Sequence, residues 1–189
     1  MKADQPTDEG YAAAAWLLMA ETRAMKAIAT VEAGGEGAFL PDGRPAALFE
    51  RHVFRRLTDG RFDDDAPDLS NREPGGYGKS GSWQHDRLAR AALLDRDAAL
   101  MATSWGLFQI MGFNHERAGY PVLQRFVNAA YRSADDHLRM LVMFIRNDER
   151  LVDAIRAKAW DAFARSYNGP QYAQSQYDRR IAKAYAGLA

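Results

Sequence analysis

The stretch TRAMKAIATVEAGG, residues 22–35, has the apolar spacing of an α-helix and ends in two glycines. Met25, Ile28 and Ala29 lie on one face of such a helix, and Glu32 completes that stripe at the i+7 position. Glycine just after the last turn is typical of a helix end. The sequence therefore predicts a helix from about Thr22 that carries an acidic residue on the face expected to be buried.

An earlier helix is predicted on the N-terminal side. Tyr11, Ala14, Ala15 and Leu18 have the i, i+3, i+4, i+7 spacing of an amphipathic helix, for which Asp8 is the expected N-cap.

The segment from residue 38 to residue 50 changes character. A small β-hairpin is predicted here, with the turn sequence Pro41-Asp42-Gly43-Arg44 between Phe39-Leu40 and residues 46–49. It is the only good strand signal in the chain.

Residues 59–82 are rich in Gly, Pro and Asp and predict an irregular surface loop beside a cleft. Helical patterns cover residues 51–58 and, after Trp83, segments near 84–94, 96–103, 121–131, 134–147, 149–157, 159–166 and 171–186. The predicted fold is mainly α (α+β): one domain, residues 1–189, with one small β-hairpin.

The composition is that of an ordinary globular protein, with 189 residues, 25 basic and 25 acidic side chains, and 47% hydrophobic residues. A net charge of zero argues against a nucleic-acid partner, which usually needs a basic surface. The lack of cysteine excludes a disulfide scaffold and a cysteine nucleophile. No apolar run approaches the ~20 residues that span a bilayer, and acidic residues precede the run 11–20 where a signal peptide needs positive charge. We expect no stable membrane insertion.

The four histidines do not form a recognisable metal motif. No pair of His52, His85, His115 and His137 has the HExxH spacing, and His137 begins an apolar stripe, as a structural histidine does. A GxSxG nucleophile motif is also missing from the sequence. We therefore predict no metal site and no serine hydrolase.

Glu32 is the residue on which the functional prediction depends. A carboxylate on an apolar stripe loses hydration, and in the last turn of a helix it meets the negative end of the helix dipole. Both effects raise a carboxyl pKa, and an acid that stays protonated near neutral pH is suited to general acid catalysis. The alternative is a glutamate whose oxygens reach solvent at a frayed helix end.

Glu50 ends the predicted strand, and a hairpin folded against the helix would bring it opposite Glu32. Two carboxylates that flank a groove are the machinery of glycoside hydrolysis. The alternative, which the local pattern by itself favours, is an ion pair between Glu50 and Arg44, Arg51 or Arg55.

Two other segments carry candidate binding residues. The stretch Ser104–Met111, SWGLFQIM, combines small, aromatic and amide residues, and Gln109 is suited to hydrogen-bond sugar hydroxyls or an acetamido group. The alternative for this stretch is a tight turn between helices with a satisfied glutamine. Tyr167 and Asn168 precede Gly169, which is expected near a helix C-terminus, so a role of this segment in a cleft stays open.

Four segments together resemble the N-acetylmuramidase endolysins of phages and prophages, which belong to the lysozyme-like superfamily. They are Val31–Gly35 (VEAGG), Leu48–Phe54 (LFERHVF), Ser104–Asn114 (SWGLFQIMGFN) and Ser166–Gly169 (SYNG). The resemblance spans about residues 8–186. The patterns GLxQI and YNG also occur in lytic transglycosylases, whereas LFERHVF is more specific to the muramidase branch.

The resemblance implies a lysozyme-like helical fold and cleavage of the β-1,4 bond between N-acetylmuramic acid and N-acetylglucosamine, without a cofactor. Glu32 matches the general acid of the family, and Glu50 falls where a second cleft carboxylate is expected. The residues expected to bind substrate are Ser104, Gln109, Asn114, Tyr167 and Asn168.

Two other functions stay open at this point: a lytic transglycosylase that forms 1,6-anhydro products, and a cell-wall-binding module without catalysis. The expected partner is the glycan strand of peptidoglycan, and the protein is expected to be a monomer. We expect synthesis in the cytoplasm and action in the periplasm or cell wall after release through membrane lesions.

Overall fold

The computed structural model describes residues 2–33, 37–169, 173 and 176–188, apart from the side chain of Asn168. This part of the chain is mainly helical, which confirms the predicted fold class. The helices are α1 (Asp8–Leu18), α2 (Thr22–Glu32), α3 (Arg51–Leu57), α4 (Ser82–Leu94), α5 (Arg96–Met101), α6 (Leu123–Ala130), α7 (Ala134–Arg146), α8 (Glu149–Ala157), α9 (Trp160–Asn168) and α10 (Tyr177–Gly187).

The helix predicted around Glu32 is α2, which packs against both α1 and α10. Met25 and Ile28 on its apolar stripe are fully buried. Because Glu32 belongs to the same stripe, the packing of α2 turns this residue away from open solvent. The predicted stop at Gly34-Gly35 lies outside the described residues, and the last helical residue is Glu32 itself.

The predicted N-cap of α1 is wrong by one residue. The hydroxyl of Thr7, rather than the carboxylate of Asp8, accepts a hydrogen bond from the backbone N–H of Gly10 at 3.0 Å. Asp8 lies in the first turn, where a negative charge complements the helix dipole, and it pairs with Lys26 at 2.6 Å. Thr7 also donates to Asp135 at 3.0 Å, which links the start of α1 to α7.

The sheet differs from the predicted hairpin. Its strands are β1 (Ala47–Phe49), β2 (Thr103–Trp105) and β3 (Ile110–Met111), antiparallel in the order β1-β2-β3. The expectation of a single strand signal in the chain is therefore wrong, as is the alternative of a plain turn between helices at Ser104–Met111. The predicted hairpin is reduced to an isolated bridge between Phe39 and Pro45.

The reason for the difference is burial in the tertiary structure. Phe49 of β1 and Trp105 of β2 are fully buried or nearly so, and the indole N–H of Trp105 donates to the carbonyl of Leu100 at 3.1 Å. Pairing with β2 places Phe49 in the core, and Glu50 follows directly after the end of β1. Among the described residues, no helix is both long and apolar enough to cross a lipid bilayer.

Candidate active site

Glu32 is the last residue of α2, so its carboxyl group lies at the negative end of the helix dipole. The residue is half-buried. Tyr177, at the start of α10, donates its hydroxyl proton to Oε1 of Glu32, and the hydroxyl of Tyr167 on α9 also donates to this carboxyl group. Glu32 is therefore held among other side chains, which favours the predicted buried acid over a solvated carboxylate.

The surroundings of Glu32 act on its pKa in opposite directions. Burial disfavours the charged form and raises the pKa, whereas the tyrosine hydroxyls and the positive charge of Arg180 stabilise the carboxylate and lower it. Burial is the largest effect, so the pKa of Glu32 stays above its ordinary value. The residue is thus protonated over a wider pH range than a solvated glutamate, as a general acid requires.

Stacked aromatic rings hold the two hydroxyl groups in place. The rings of Tyr167 and Tyr177 are nearly parallel, with centroids 6.2 Å apart and an angle of 4°. Phe163, which is fully buried, stacks on Tyr167 at 5.4 Å. Burial and the charge of Glu32 raise the pKa of Tyr167 well above its ordinary value, so this tyrosine stays a hydrogen-bond donor at neutral pH.

Glu50 follows β1 and occupies the N-cap position of α3. Its backbone N–H donates to the carbonyl of Ala102 at 2.9 Å, which fixes the residue next to β2. The side chain is only 15% exposed, and its Oε2 lies 3.2 Å from Nδ1 of His52. Oε1 accepts a hydrogen bond from the hydroxyl of Tyr77 at 3.1 Å. The carboxyl group is therefore contacted by Tyr77 and His52 and is mostly removed from solvent.

The arginines near Glu50 in sequence have other partners. Arg44 pairs with Asp42 at 2.6 Å and Arg55 with Asp63 at 2.8 Å, while Nε of Arg51 donates to the carbonyl of Glu73 at 2.9 Å. In the described part of the chain, the ion pair that the local sequence favoured for Glu50 is therefore wrong.

Two buried polar residues of α4 that the sequence analysis did not single out organise this region. Gln84 and Arg87 are 2% and 3% exposed. Oε1 of Gln84 accepts from the N–H of Phe49 at 3.3 Å, and Nε2 donates to the carbonyls of Tyr77 and Lys79, each at 2.7 Å. Arg87 donates to the carbonyl of Phe49 at 3.3 Å. Together these hydrogen bonds connect the end of β1, which Glu50 follows, to the irregular segment of residues 59–81.

The sequence did carry a signal for these residues. Gln84 and Arg87 share a helical stripe with Leu88 and Ala91, at the i, i+3, i+4, i+7 positions, and all four are buried. A polar residue on an apolar stripe is the criterion that singled out Glu32, and it applies equally to α4.

Ser104 and Gln109 lie on the hairpin of β2 and β3 and hydrogen-bond to each other. Oγ of Ser104 donates to Oε1 of Gln109 at 2.7 Å, and Nε2 of Gln109 donates to the carbonyl of Gly106 at 2.8 Å. Gln109 is exposed and has a left-handed φ of 47°. The buried ring of His137 supports the hairpin, since its Nδ1 accepts from the N–H of Leu107 at 3.1 Å. The structural role predicted for His137 is confirmed.

The other predicted binding residues have different positions. Asn114 ends a short 3-10 turn, residues 112–114, and is half-buried; its backbone carbonyl accepts from Ala118 at 2.8 Å. Asn168 ends α9, but its side chain lies outside the described part of the structure. Within the described part, Tyr167 is the predicted binding residue that contacts a predicted catalytic carboxylate.

The hydrogen bonds of the two carboxyl groups belong to two separate groups of described residues. Glu32 is bonded to Tyr167 and Tyr177, from α9 and α10, and Glu50 is bonded to Tyr77. Their joint action on one substrate stays a prediction. Among the described residues, no three His, Asp or Glu side chains are grouped closely enough to hold a metal ion.

Comparisons with known proteins identify the family of the chain. A family model described as N-acetylmuramidase matches residues 21–189, which include both candidate carboxylates. The crystal structure of Burkholderia AP3 phage endolysin matches with a TM-score of 0.91 and 37% sequence identity, covering 99% of this chain and 73% of the endolysin chain. No curated protein matches the sequence. Because the family model covers most of the chain, and a solved relative shares more than a third of its residues, the chain belongs to the N-acetylmuramidase family of glycoside hydrolases.

Proposed function

We propose that this muramidase cleaves the β-1,4 bond between N-acetylmuramic acid and N-acetylglucosamine in peptidoglycan, with Glu32 as the general acid. The observation that carries the proposal is the half-buried carboxyl group at the end of α2, whose pKa is raised by burial and which two tyrosine hydroxyls orient. The family supplies the substrate class, and the site supplies a proton donor suited to glycosidic bond cleavage.

In the proposed reaction, protonated Glu32 donates its proton to the glycosidic oxygen as the bond to the anomeric carbon breaks. Glu32 is then a carboxylate, and the hydroxyl groups of Tyr167 and Tyr177 stabilise its new charge by charge-assisted hydrogen bonds. Burial thus keeps the proton on Glu32 before the reaction, and the tyrosines lower the free energy of losing it.

We assign Glu50 as the second carboxylate, which orients the attacking water or stabilises the positive charge that develops on the sugar ring. Support comes from its preorganisation: the backbone bond to Ala102 and the hydroxyl of Tyr77 hold it in one place before substrate binds. Fixed charges that need no reorganisation are the most effective at stabilising a transition state.

Digestion of purified sacculi tests the proposal. The wild-type enzyme should release soluble fragments with reducing ends, identified by mass spectrometry, and Glu32→Gln should fold normally but lose ~10²–10⁴-fold in rate. The matched control is Glu21→Gln, at the N-cap of the same helix, because Glu21 is exposed and pairs with Lys158. Nearly full activity of Glu32→Gln contradicts the assignment, and 1,6-anhydro ends would identify a lytic transglycosylase.

For the biological role, we propose a phage or prophage endolysin that is made in the cytoplasm and reaches the cell wall through membrane lesions. The likeness to the AP3 phage endolysin over 99% of this chain supports this role. Expression in bacteria should leave cells intact until a pore-forming protein is co-expressed, and lysis should then follow within minutes of pore opening. Equal lysis without the pore would contradict this route.

A further inference from the structure

Two large aromatic side chains, Tyr77 and Trp83, are exposed in the part of the chain that contacts Glu50 through Tyr77. They are 36% and 42% exposed, respectively. Tyr77 belongs to the irregular segment of residues 59–81, and Trp83 lies in the first turn of α4. Both rings present apolar surface to solvent, although residues of this size normally contribute it to a core or a binding site.

Tyr77 is connected directly to the proposed reaction centre. Its hydroxyl donates to Oε1 of Glu50 at 3.1 Å, so its ring lies next to this carboxyl group. Its backbone carbonyl accepts from Nε2 of Gln84 at 2.7 Å. Because Gln84 is almost fully buried, the position of Tyr77 is set by the protein interior and not by the loop alone.

Gly78 brings Trp83 onto the same surface. A Cβ atom on Gly78 would lie 2.7 Å from Nε1 of Trp83, so the nitrogen edge of the indole packs directly over the backbone of this glycine. The φ of Gly78 is +67°, a conformation that glycine adopts easily. The residue that touches Trp83 is therefore the chain neighbour of Tyr77, so the two exposed residues lie in the same part of the structure.

We propose that Tyr77 and Trp83 form a sugar-binding subsite beside Glu50 that stacks on an N-acetylhexosamine ring of the glycan strand. The inference rests on the proposed function, since it requires Glu50 to lie along the path of the glycan. The flat C–H face of a pyranose ring suits an exposed aromatic ring, which offers a rigid apolar surface at a small entropy cost. Lys79, Ser80 and Ser82, which are exposed and lie between or next to these aromatic residues in the sequence, supply partners for hydroxyl groups of the sugar.

The size of the proposed subsite favours a sugar over a protein. A stable protein–protein interface buries at least about 1,200 Å² in total, whereas this subsite presents two partly exposed rings. Continuity with Glu50 through the Tyr77 hydroxyl also identifies the glycan strand as the occupant.

Binding of glycan strands to the inactive Glu32→Gln variant tests the subsite. The strands are prepared from sacculi by removing the stem peptides with an amidase, and affinity is measured by isothermal titration calorimetry. Adding Trp83→Ala should weaken binding about five- to thirtyfold, as expected for the loss of an aromatic anchor. Trp83→Phe, which keeps an aromatic ring, should recover most of the affinity.

The matched control is Trp16→Ala, because Trp16 is 78% exposed on α1 and lies next to Met19 and Arg146. It should bind glycan strands as tightly as its parent. In the otherwise wild-type enzyme, Trp83→Ala should raise KM more than it lowers kcat, since a stacking residue contributes to binding before the reaction.

Two failures are distinguishable. If the wild-type enzyme digests sacculi while Trp83→Ala changes neither affinity nor KM, the subsite is refuted and the muramidase assignment stands. If the wild-type enzyme does not digest sacculi and Glu32→Gln does not bind glycan strands, the proposed function fails and the subsite fails with it. A loss of affinity in Trp16→Ala equal to that in Trp83→Ala also overturns the subsite.

Discussion

Replacing Tyr177 by phenylalanine should raise the pKa of Glu32 and slow the reaction. The hydroxyl of Tyr177 donates to Oε1 of Glu32 and stabilises the carboxylate, while burial acts in the opposite direction. Phenylalanine removes the hydroxyl but keeps the ring that stacks on Phe163 and Tyr167, with centroid distances of 6.4 and 6.2 Å. The substitution therefore removes the hydrogen bond to Glu32 and keeps the stacked ring.

The size of the effect follows from the charge of the acceptor. A hydrogen bond to a charged group contributes about 1.5–3 kcal/mol, and a barrier difference of 1.36 kcal/mol corresponds to tenfold in rate. Because Tyr167 still donates to the carboxylate that forms during proton transfer, we expect the lower end of this range, about a tenfold decrease in kcat.

The pH profile distinguishes this role from a merely structural one. A general acid is active while protonated, so activity falls as pH rises through the pKa of Glu32. Removing a donor that stabilises the carboxylate raises this pKa, and the alkaline limb of the profile should move to higher pH. The assay is the initial rate of clearing of purified sacculi across the pH range.

Tyr185→Phe is the matched control for Tyr177→Phe. Tyr185 is on the same helix, α10, and its hydroxyl also donates to a glutamate, but to Glu21 at the opposite end of α2. The control should retain the wild-type kcat and pH profile. The reasoning is refuted if Tyr177→Phe unfolds at the wild-type temperature and shows an unchanged kcat and alkaline limb, or if the limb moves to lower pH.

Three further predictions concern stability. Because burial raises the pKa of Glu32 in the folded state, the protonated acid stabilises the fold at low pH, and this contribution is lost as pH rises through the folded pKa. Glu32→Gln should therefore unfold at a higher temperature than wild type at pH 7–8, and the difference should shrink below the ordinary Glu pKa of 4.5. A difference in unfolding temperature that calorimetry finds independent of pH would argue against this. Burial lowers the pKa of His137 below its ordinary value of 6.5. The neutral ring therefore stabilises the fold above that pH, and this stabilisation is lost as pH falls through the pKa of the folded state. An NMR titration of the ring with a midpoint at or above pH 6.5 would contradict this. Ser104→Ala breaks the hydrogen bond to Gln109 and should lower the free energy of unfolding, measured by urea denaturation, by about 0.5–1.5 kcal/mol. An unchanged urea midpoint would show that this bond does not stabilise the hairpin of β2 and β3.

Local periodicity was enough to find the candidate acid. The spacing of Met25, Ile28 and Ala29 predicts α2, and Glu32 occupies the position that packing then buries. The same criterion also marks Gln84 and Arg87, two polar residues on the buried stripe of α4.

Other features depended on residues that are far apart in the chain. The partner of β1 is β2, with Leu48 opposite Ser104 across 56 residues, and the local turn at residues 41–44 favoured a different partner. Likewise, the arginines nearest to Glu50 in sequence pair elsewhere, and its hydroxyl donor is Tyr77, which lies 27 residues away.

By itself, the sequence determined the helical class, the half-buried acid at the end of α2 and the family motifs, because a helix repeats through contacts between residues three and four positions apart. Only the tertiary structure decided which strand pairs with β1 and which hydroxyls hold Glu32 and Glu50. One donor to Glu32, Tyr177, is 145 residues away, and the order of residues along the chain does not say which distant segments packing brings together.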